Sequence, residues 1–181
     1  VLTLDGLLSE RGCDDNLDLR THEDQLAYVI YTSGSTGMPK IIPRMHAEYL
    51  GSCAAWNRRQ RLGPYDVSLW ALPMIHNAGM ILMLIPSLLD RRTVVLRPQF
   101  EIDDFLGAIT KHKVTYAGSI GPIAPRIIDH PALERFDLSS LRSFFALSRA
   151  DGVEERTKIP SHLMYGITEG MLMSCFPEDS R

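Results

Sequence analysis

Six short runs of apolar and β-branched residues recur along the chain, and their alternation with stretches of helical spacing restricts the available folds more than any other feature. The runs are Leu26 to Tyr31, Val67 to Leu72, Thr93 to Leu96, Val114 to Ala117, Ser143 to Leu147 and His162 to Tyr165. Each has the length and composition of a buried strand. Between them, His46 to Gln60, Met80 to Leu89, Ile102 to His112 and Pro122 to Asp129 carry the spacing of helices. In FEIDDFLGAITKH, Ile102, Phe105, Leu106 and Ile109 fall on one face. Its acidic residues come early and Lys111 and His112 late, which suits the helix dipole. Parallel neighbours need crossover connections, so this alternation predicts an α/β domain with a mainly parallel sheet. Functional loops are then expected at the carboxyl ends of strands.

The composition narrows the function classes. With 181 residues, 45% hydrophobic and 23% charged, the chain can bury a sizeable core. A net charge of -3 with dispersed basic residues gives no electrostatic footprint for nucleic acid or an anionic membrane. The longest apolar stretch, Met80 to Leu89, is broken by Pro86 and falls far below the roughly 20 residues of a membrane span. The first residues do not have the pattern of a signal peptide. Cys13, Cys53 and Cys175 are odd in number and lack metal-ligand spacing, which suits reduced thiols in a cytoplasmic protein.

Chemistry concentrates in YTSGSTGMPK, residues 31 to 40. Thr32, Ser33, Ser35 and Thr36 supply hydroxyl donors, Gly34 and Gly37 allow close approach of backbone N–H groups, and Lys40 adds a point charge. Pro39 prevents direct continuation into a helix. Such a segment is suited to wrap an anion as a phosphate strap. It is not a Walker loop, because GxxxxGK[ST] fails on spacing and on the residue after the lysine.

YTSGSTGMPK resembles the phosphate-binding loop of the adenylate-forming superfamily, which includes acyl-CoA synthetases, luciferases and adenylation domains of nonribosomal peptide synthesis. Its continuation, IIPRMHAEYL, is similar to stand-alone aryl-acid AMP ligases that load 2,3-dihydroxybenzoate or salicylate in siderophore assembly. Two further segments match. WALPMIHNAGM, residues 70 to 80, is similar to the substrate segment of the aryl-acid ligases, and MYGITEG, residues 164 to 170, to the adenine and magnesium segment. The resemblance runs from about Leu26 to Gly170. It implies that residues 1–181 are part of the large N-terminal domain of an adenylate-forming enzyme, without the small C-terminal domain.

It also implies roles. Thr32, Ser33, Gly34, Ser35, Thr36, Gly37 and Lys40 would hold the ATP phosphates. Tyr165 would stack on adenine, with Gly166 beside it, Thr168 on the adenylate phosphate and Glu169 on Mg²⁺. Asn77 would meet a hydroxyl beside the substrate carboxylate, where amino-acid-activating relatives usually hold an aspartate, and His76 would lie next to that carboxylate. Lys40, Glu169 and His76 are thus the expected catalytic residues, ATP and Mg²⁺ the cofactors, and a carrier-protein phosphopantetheine or CoA the acceptor. Two departures qualify the substrate. The family's Gly-Gly pair after the strand Ser143 to Leu147 is replaced by Ser148, Arg149 and Ala150, so an arginine is expected to reshape or block the pocket, and DGVEERTK leaves little room for a crossover helix. AGMILML after Asn77 is bulkier than the small polar residues of the aryl-acid ligases, which leaves open salicylate or a more apolar acid handled by an acyl-CoA synthetase, while Arg149 in place of glycine, with the family residues that this chain lacks, leaves open a degenerate binding module.

Overall fold

The computed structural model describes residues 20–32, 38–176 and 179. A six-stranded sheet forms its centre, in the order β4-β3-β5-β6-β7-β8. These strands are β3 (Val67–Trp70), β4 (Thr93–Leu96), β5 (Tyr116–Ser119), β6 (Ser143–Ala146), β7 (Ser161–Gly166) and β8 (Leu172–Cys175). All neighbours pair in parallel except β8, which returns antiparallel to β7. The expected α/β class with a mainly parallel sheet is what the chain adopts. β3 lies between β4 and β5, so the winding reverses there and opens a crevice beyond the carboxyl ends of the strands.

Crossovers are made by α2 (Asn77–Gly79), a π-helical turn (Met80–Leu84) and α3 (Ile85–Asp90) between β3 and β4, then by α4 (Ile102–His112). α5 (Ile123–Ile128) and a 3₁₀ turn (Leu133–Arg135) follow β5, and α6 (Ala150–Thr157) joins β6 to β7. The expected helix Met80 to Leu89 is therefore longer and has a wide turn in it. Pro86 lacks an N–H and crowds the carbonyl four residues back, and Ile85 N–H reaches instead to the Met80 carbonyl. α6, the eight residues of ADGVEERT, suffices as a crossover between β6 and β7 despite the expected shortage of room. Two turns span the path because neighbouring parallel strands lie only about 5 Å apart.

Strand alternation divides the core between the two faces. Leu69, Ala117, Phe144 and Ala146 pack with Phe105, Leu106 and Ile109 of α4, Ile123 and Ile127 of α5 and Val153 of α6. On the other face Trp70, Tyr116, Phe145 and Met164 meet Ile81 and Leu82, and Tyr49, Cys53 and Trp56 of the helix α1 (His46–Gln60). Burial on both faces explains why the strand runs are continuously apolar. Four helices end on a basic residue in the left-handed region: Arg61, Arg91, Lys113 and Lys158. Glycine is the usual occupant there, and a cation beside the helix carboxyl end offsets part of its absence.

The run Leu26 to Tyr31 differs from expectation. Together with Thr32 it forms β1 (Leu26–Thr32), which pairs antiparallel with β2 (Lys40–Met45) as a separate two-stranded ribbon. It is not a buried strand of the main sheet, and Tyr31 is 69% exposed. β2 was not apparent in the sequence because Pro43 breaks a donor pattern that only an edge strand can forgo. A lone ribbon is marginal in water. Here it is pinned by burial of Ile42 and Arg44 and by backbone bonds from His46 and Ala47 N–H to Gln25 and Glu23 carbonyls.

Candidate functional site

Beyond the carboxyl ends of β5, β6 and β7 lies a cleft of about 500 Å³, part of it open to solvent. His76, Asn77 and Thr168 give it polar groups; Ile81, Leu82, Ile120, Leu147 and Met164 give it apolar walls. The 70–80 and 164–170 segments, almost a hundred residues apart in sequence, thus meet in one site at the reversal of winding.

His76 precedes α2 in extended conformation, and its Nδ1 accepts from the Ala78 N–H at 3.1 Å. The capping bond leaves the proton of a neutral ring on Nε2. Gly79 permits this tight start: a Cβ there would lie 2.6 Å from the Met74 carbonyl oxygen. Asn77 is held from two directions. Tyr28 O–H, from β1, donates to its Oδ1 at 3.0 Å, and Tyr49 O–H, from α1, donates to the same oxygen in a short contact.

β7 ends at Gly166, and a tight turn leads to β8, with Ile167 N–H bonded to the Met171 carbonyl and Gly170 N–H to that of Ile167. Gly170 has φ of 119°, where only glycine is comfortable, and a Cβ would stand 2.6 Å from Glu48 Oε1. Glu48 belongs to an unforeseen support. Arg44, 0% exposed, donates from Nε to Glu48 Oε2 at 3.1 Å, places Nη2 3.0 Å from Oε1, and donates from Nη1 to the Thr168 carbonyl at 2.6 Å. Its guanidinium lies 4.6 Å above the Tyr49 ring. One side chain therefore ties the β1–β2 ribbon to the β7–β8 turn and braces the tyrosine that holds Asn77.

Glu169 is exposed at that turn and makes no hydrogen bond or ion pair among the described residues. Mg²⁺ is commonly held by one or two carboxylates together with substrate phosphates, so a single free carboxylate fits it. Among the described residues no three His, Cys, Asp or Glu side chains gather as a metal cage. Tyr165 is not in the cleft with His76 and Asn77. As its neighbours Met164 and Gly166 line the cleft, Tyr165 points to the opposite face of β7, 52% exposed in a hollow with Leu163 and Met173. Leu147 and Met164 line both spaces.

Of the strap, Thr32 and Lys40 pair across the ribbon at its open end, with Lys40 exposed. Ser33, Gly34, Ser35, Thr36 and Gly37 lie outside the described residues. The strap thus joins the two strands of this separate ribbon rather than following a buried strand of the main sheet. Arg149 corrects another expectation. It is exposed and does not line the cleft, so it does not block it. It nevertheless occupies the left-handed region, φ 57° and ψ 32°, where the missing glycine would be favoured. Arg149→Gly is expected to raise unfolding free energy by roughly 0.5–1 kcal/mol, read by urea denaturation. Cys53 is buried in the core, and that burial pushes its thiol up to about 12.

The sequence profile described as AMP-binding enzyme matches residues 4–181. The chain is 31% identical over 159 residues to 4-coumarate–CoA ligase 2 of Oryza sativa subsp. japonica, covering 81% of this chain and 28% of that protein. To feruloyl-CoA synthase of an Amycolatopsis species it is 32% identical, covering 72% of this chain and 26% of that protein. O-succinylbenzoate coenzyme A synthetase of Bacillus subtilis, solved with ATP and magnesium, superposes with a TM-score of 0.82 at 25% identity, covering 97% of this chain and 38% of that one. The chain thus spans less than a third of the length of these two curated relatives.

Proposed function

The chain belongs to the AMP-binding enzyme family, and from that premise we propose that the protein activates an aryl carboxylic acid as its acyl-adenylate and passes the acyl group to the thiol of CoA. The observation that carries this reading is the cleft in which His76, Asn77 and Thr168 meet between apolar walls. A planar ring suits the walls of Ile81, Leu82, Ile120 and Met164, while the carboxylate faces the polar side. The names of the relatives, a coumarate and a feruloyl CoA ligase and an o-succinylbenzoate CoA synthetase, support both an aryl acid and CoA. A carrier-protein phosphopantetheine, as in siderophore and nonribosomal peptide assembly, is the other acceptor. A cytoplasmic setting suits these substrates, and residues 1–181 then form part of the large N-terminal domain.

A carboxylate is a poor electrophile because it is anionic and resonance-stabilised. In the first half-reaction its oxygen attacks the α-phosphorus of ATP, the bond to the bridging oxygen breaks, and pyrophosphate leaves. In the second, a thiol attacks the acyl carbon and AMP departs with the bonding electrons. The residues contribute positioning and charge. Thr32, the hydroxyls and backbone of Ser33 to Gly37, and Lys40 grip the β- and γ-phosphates. Tyr165 stacks on adenine, Gly166 lets the nucleotide approach the end of β7, and Thr168 contacts the adenylate phosphate. His76 flanks the carboxylate and Asn77 binds its neighbouring group. Glu169 would hold Mg²⁺, which when bound offsets the negative charge of the phosphates.

Acid-dependent exchange of pyrophosphate into ATP, measured on the full-length protein with aryl and aliphatic acids, tests the reading. Exchange with aryl acids and thioester formation with CoA are expected; exchange with aliphatic acids alone overturns the aryl assignment. The bulk of Ile81 and Leu82 favours the neighbouring alternative, a CoA synthetase for a more apolar acid. The binding-module alternative loses one of its two motives, since Arg149 does not line the cleft. Lys40→Ala is expected to lower kcat/KM for ATP about 10- to 100-fold, mainly through KM, because a charge-assisted bond to phosphate contributes about 1.5–3 kcal/mol.

A further inference from the structure

We propose that the end of the molecule opposite the cleft holds a second site, which binds a phosphate group, either free as inorganic phosphate or carried by a small molecule. At the amino ends of β6 and β7, beside the carboxyl end of α1, lies a hollow of about 1270 Å³, part of it open to solvent. Arg58, Arg59, Arg61 and Arg142 stand exposed at its rim, and among the described residues no carboxylate lines it. Buried polar residues, Gln60 among them, make its floor. Two of the arginines are engaged in holding the structure. Arg142 donates to the two carboxylate oxygens of Asp66, at 2.9 and 2.8 Å, and to the carbonyls of Gln60 and Arg61. Arg59 pairs with Asp179 and lies 4.5 Å from the centre of the Phe176 ring.

Arg58 and Arg61 are different: their side chains make no hydrogen bond or ion pair among the described residues. Capping of α1 does not account for them. Its last carbonyls are already taken, those of Asn57 and Arg58 by the N–H groups of Leu62 and Arg61, and those of Gln60 and Arg61 by Arg142. Two positive charges thus line the hollow without a counter-charge among the described residues, in a chain whose net charge is -3. The floor supplies a second observation. Gln60 is 3% exposed, and neither the nitrogen nor the oxygen of its amide has a partner among the described residues. A buried amide left so is costly, and a bonded ligand offsets that cost. A phosphate dianion fits both parts, since guanidinium groups present forked donors to its oxygens and an amide N–H adds another. A carboxylate, with one charge, would leave one arginine unmatched. A single recessed hollow suits one phosphate group rather than the repeating phosphates of nucleic acid.

Calorimetric titration of the full-length protein with inorganic phosphate, at an ionic strength held constant with chloride, tests the site. Wild type is expected to bind phosphate saturably, and Arg58→Gln/Arg61→Gln to weaken that binding by about tenfold or more, through the loss of charge-assisted bonds. Lys40→Ala, in the strap, is expected to change it by less than about threefold, because a charge at the far end of the molecule is screened. The single variant Arg58→Gln, expected to weaken binding by about threefold or more, keeps the test decisive where the double variant fails to fold. Glycerol 3-phosphate, titrated alongside, separates the sources: tighter binding than inorganic phosphate assigns the site to a phosphate ester, and otherwise it belongs to the free ion. No saturable binding by wild type, equal binding by wild type and the arginine variants, or binding that Lys40→Ala abolishes overturns the proposal. None of these results bears on adenylation, so the two readings fail separately.

Discussion

Glu169→Ala is expected to reduce acid-dependent ATP–pyrophosphate exchange by on the order of 10²- to 10³-fold, the effect of losing one preorganised electrostatic contact to a developing charge. The side chain is exposed and unpaired among the described residues, so its removal leaves the fold untouched. Stability should stay within about 0.5 kcal/mol of wild type, as for surface substitutions generally. The loss should also respond to magnesium: raising the metal concentration restores part of the rate if the carboxylate helps to hold the cation, because weakened binding is offset by mass action. Exchange rates equal to wild type across a magnesium titration would remove Glu169 from the site.

Arg44→Met is expected to have the largest effect on folding, lowering unfolding free energy by about 3 kcal/mol, near the lower end for breaking a buried ion pair. Glu48 keeps 40% of its side chain exposed, and water can take over part of its solvation. The Thr168 carbonyl loses its donor. Arg44→Lys should recover little, since one ammonium cannot bond to both Glu48 oxygens while also reaching Thr168. Urea unfolding of the three proteins measures the order, and a lysine variant as stable as wild type would contradict the bracing role.

The periodicity of apolar residues was enough to place most of the main sheet and its crossovers, because both faces are buried and strand and helix lengths are ordinary. α1 and α4 begin and end where their spacing predicts. The β1–β2 ribbon was not legible: Pro43 masks β2, and β1 carries apolar residues that stay exposed in this chain. β8 was missed because four residues after a tight turn carry little periodic signal.

The candidate site divides in the same way. His76, Asn77, Thr168 and Glu169 were visible through local motifs, whose residue order survives any folding detail. Arg44, Tyr28 and Tyr49 act through contacts between distant segments, as in the 49 residues from Tyr28 to Asn77 and the 124 from Arg44 to Thr168. No local pattern reports such pairing. A signal did exist in the alternation of β2, where Ile42 and Arg44 are both buried, but an arginine at an inward position reads as polar until its carboxylate and carbonyl partners are known.

The central claim is that the hairpin strap, the His76–Asn77 turn and the β7–β8 turn close on one adenylate. Hydrogen exchange of the full-length protein, with and without a hydrolysis-resistant acyl-adenylate analogue at a saturation confirmed by calorimetry, tests it most directly. Slowed exchange is expected together in residues 32–40, 76–82 and 164–170. Bound analogue with exchange unchanged in the strap, or protection confined to a surface elsewhere, would contradict it.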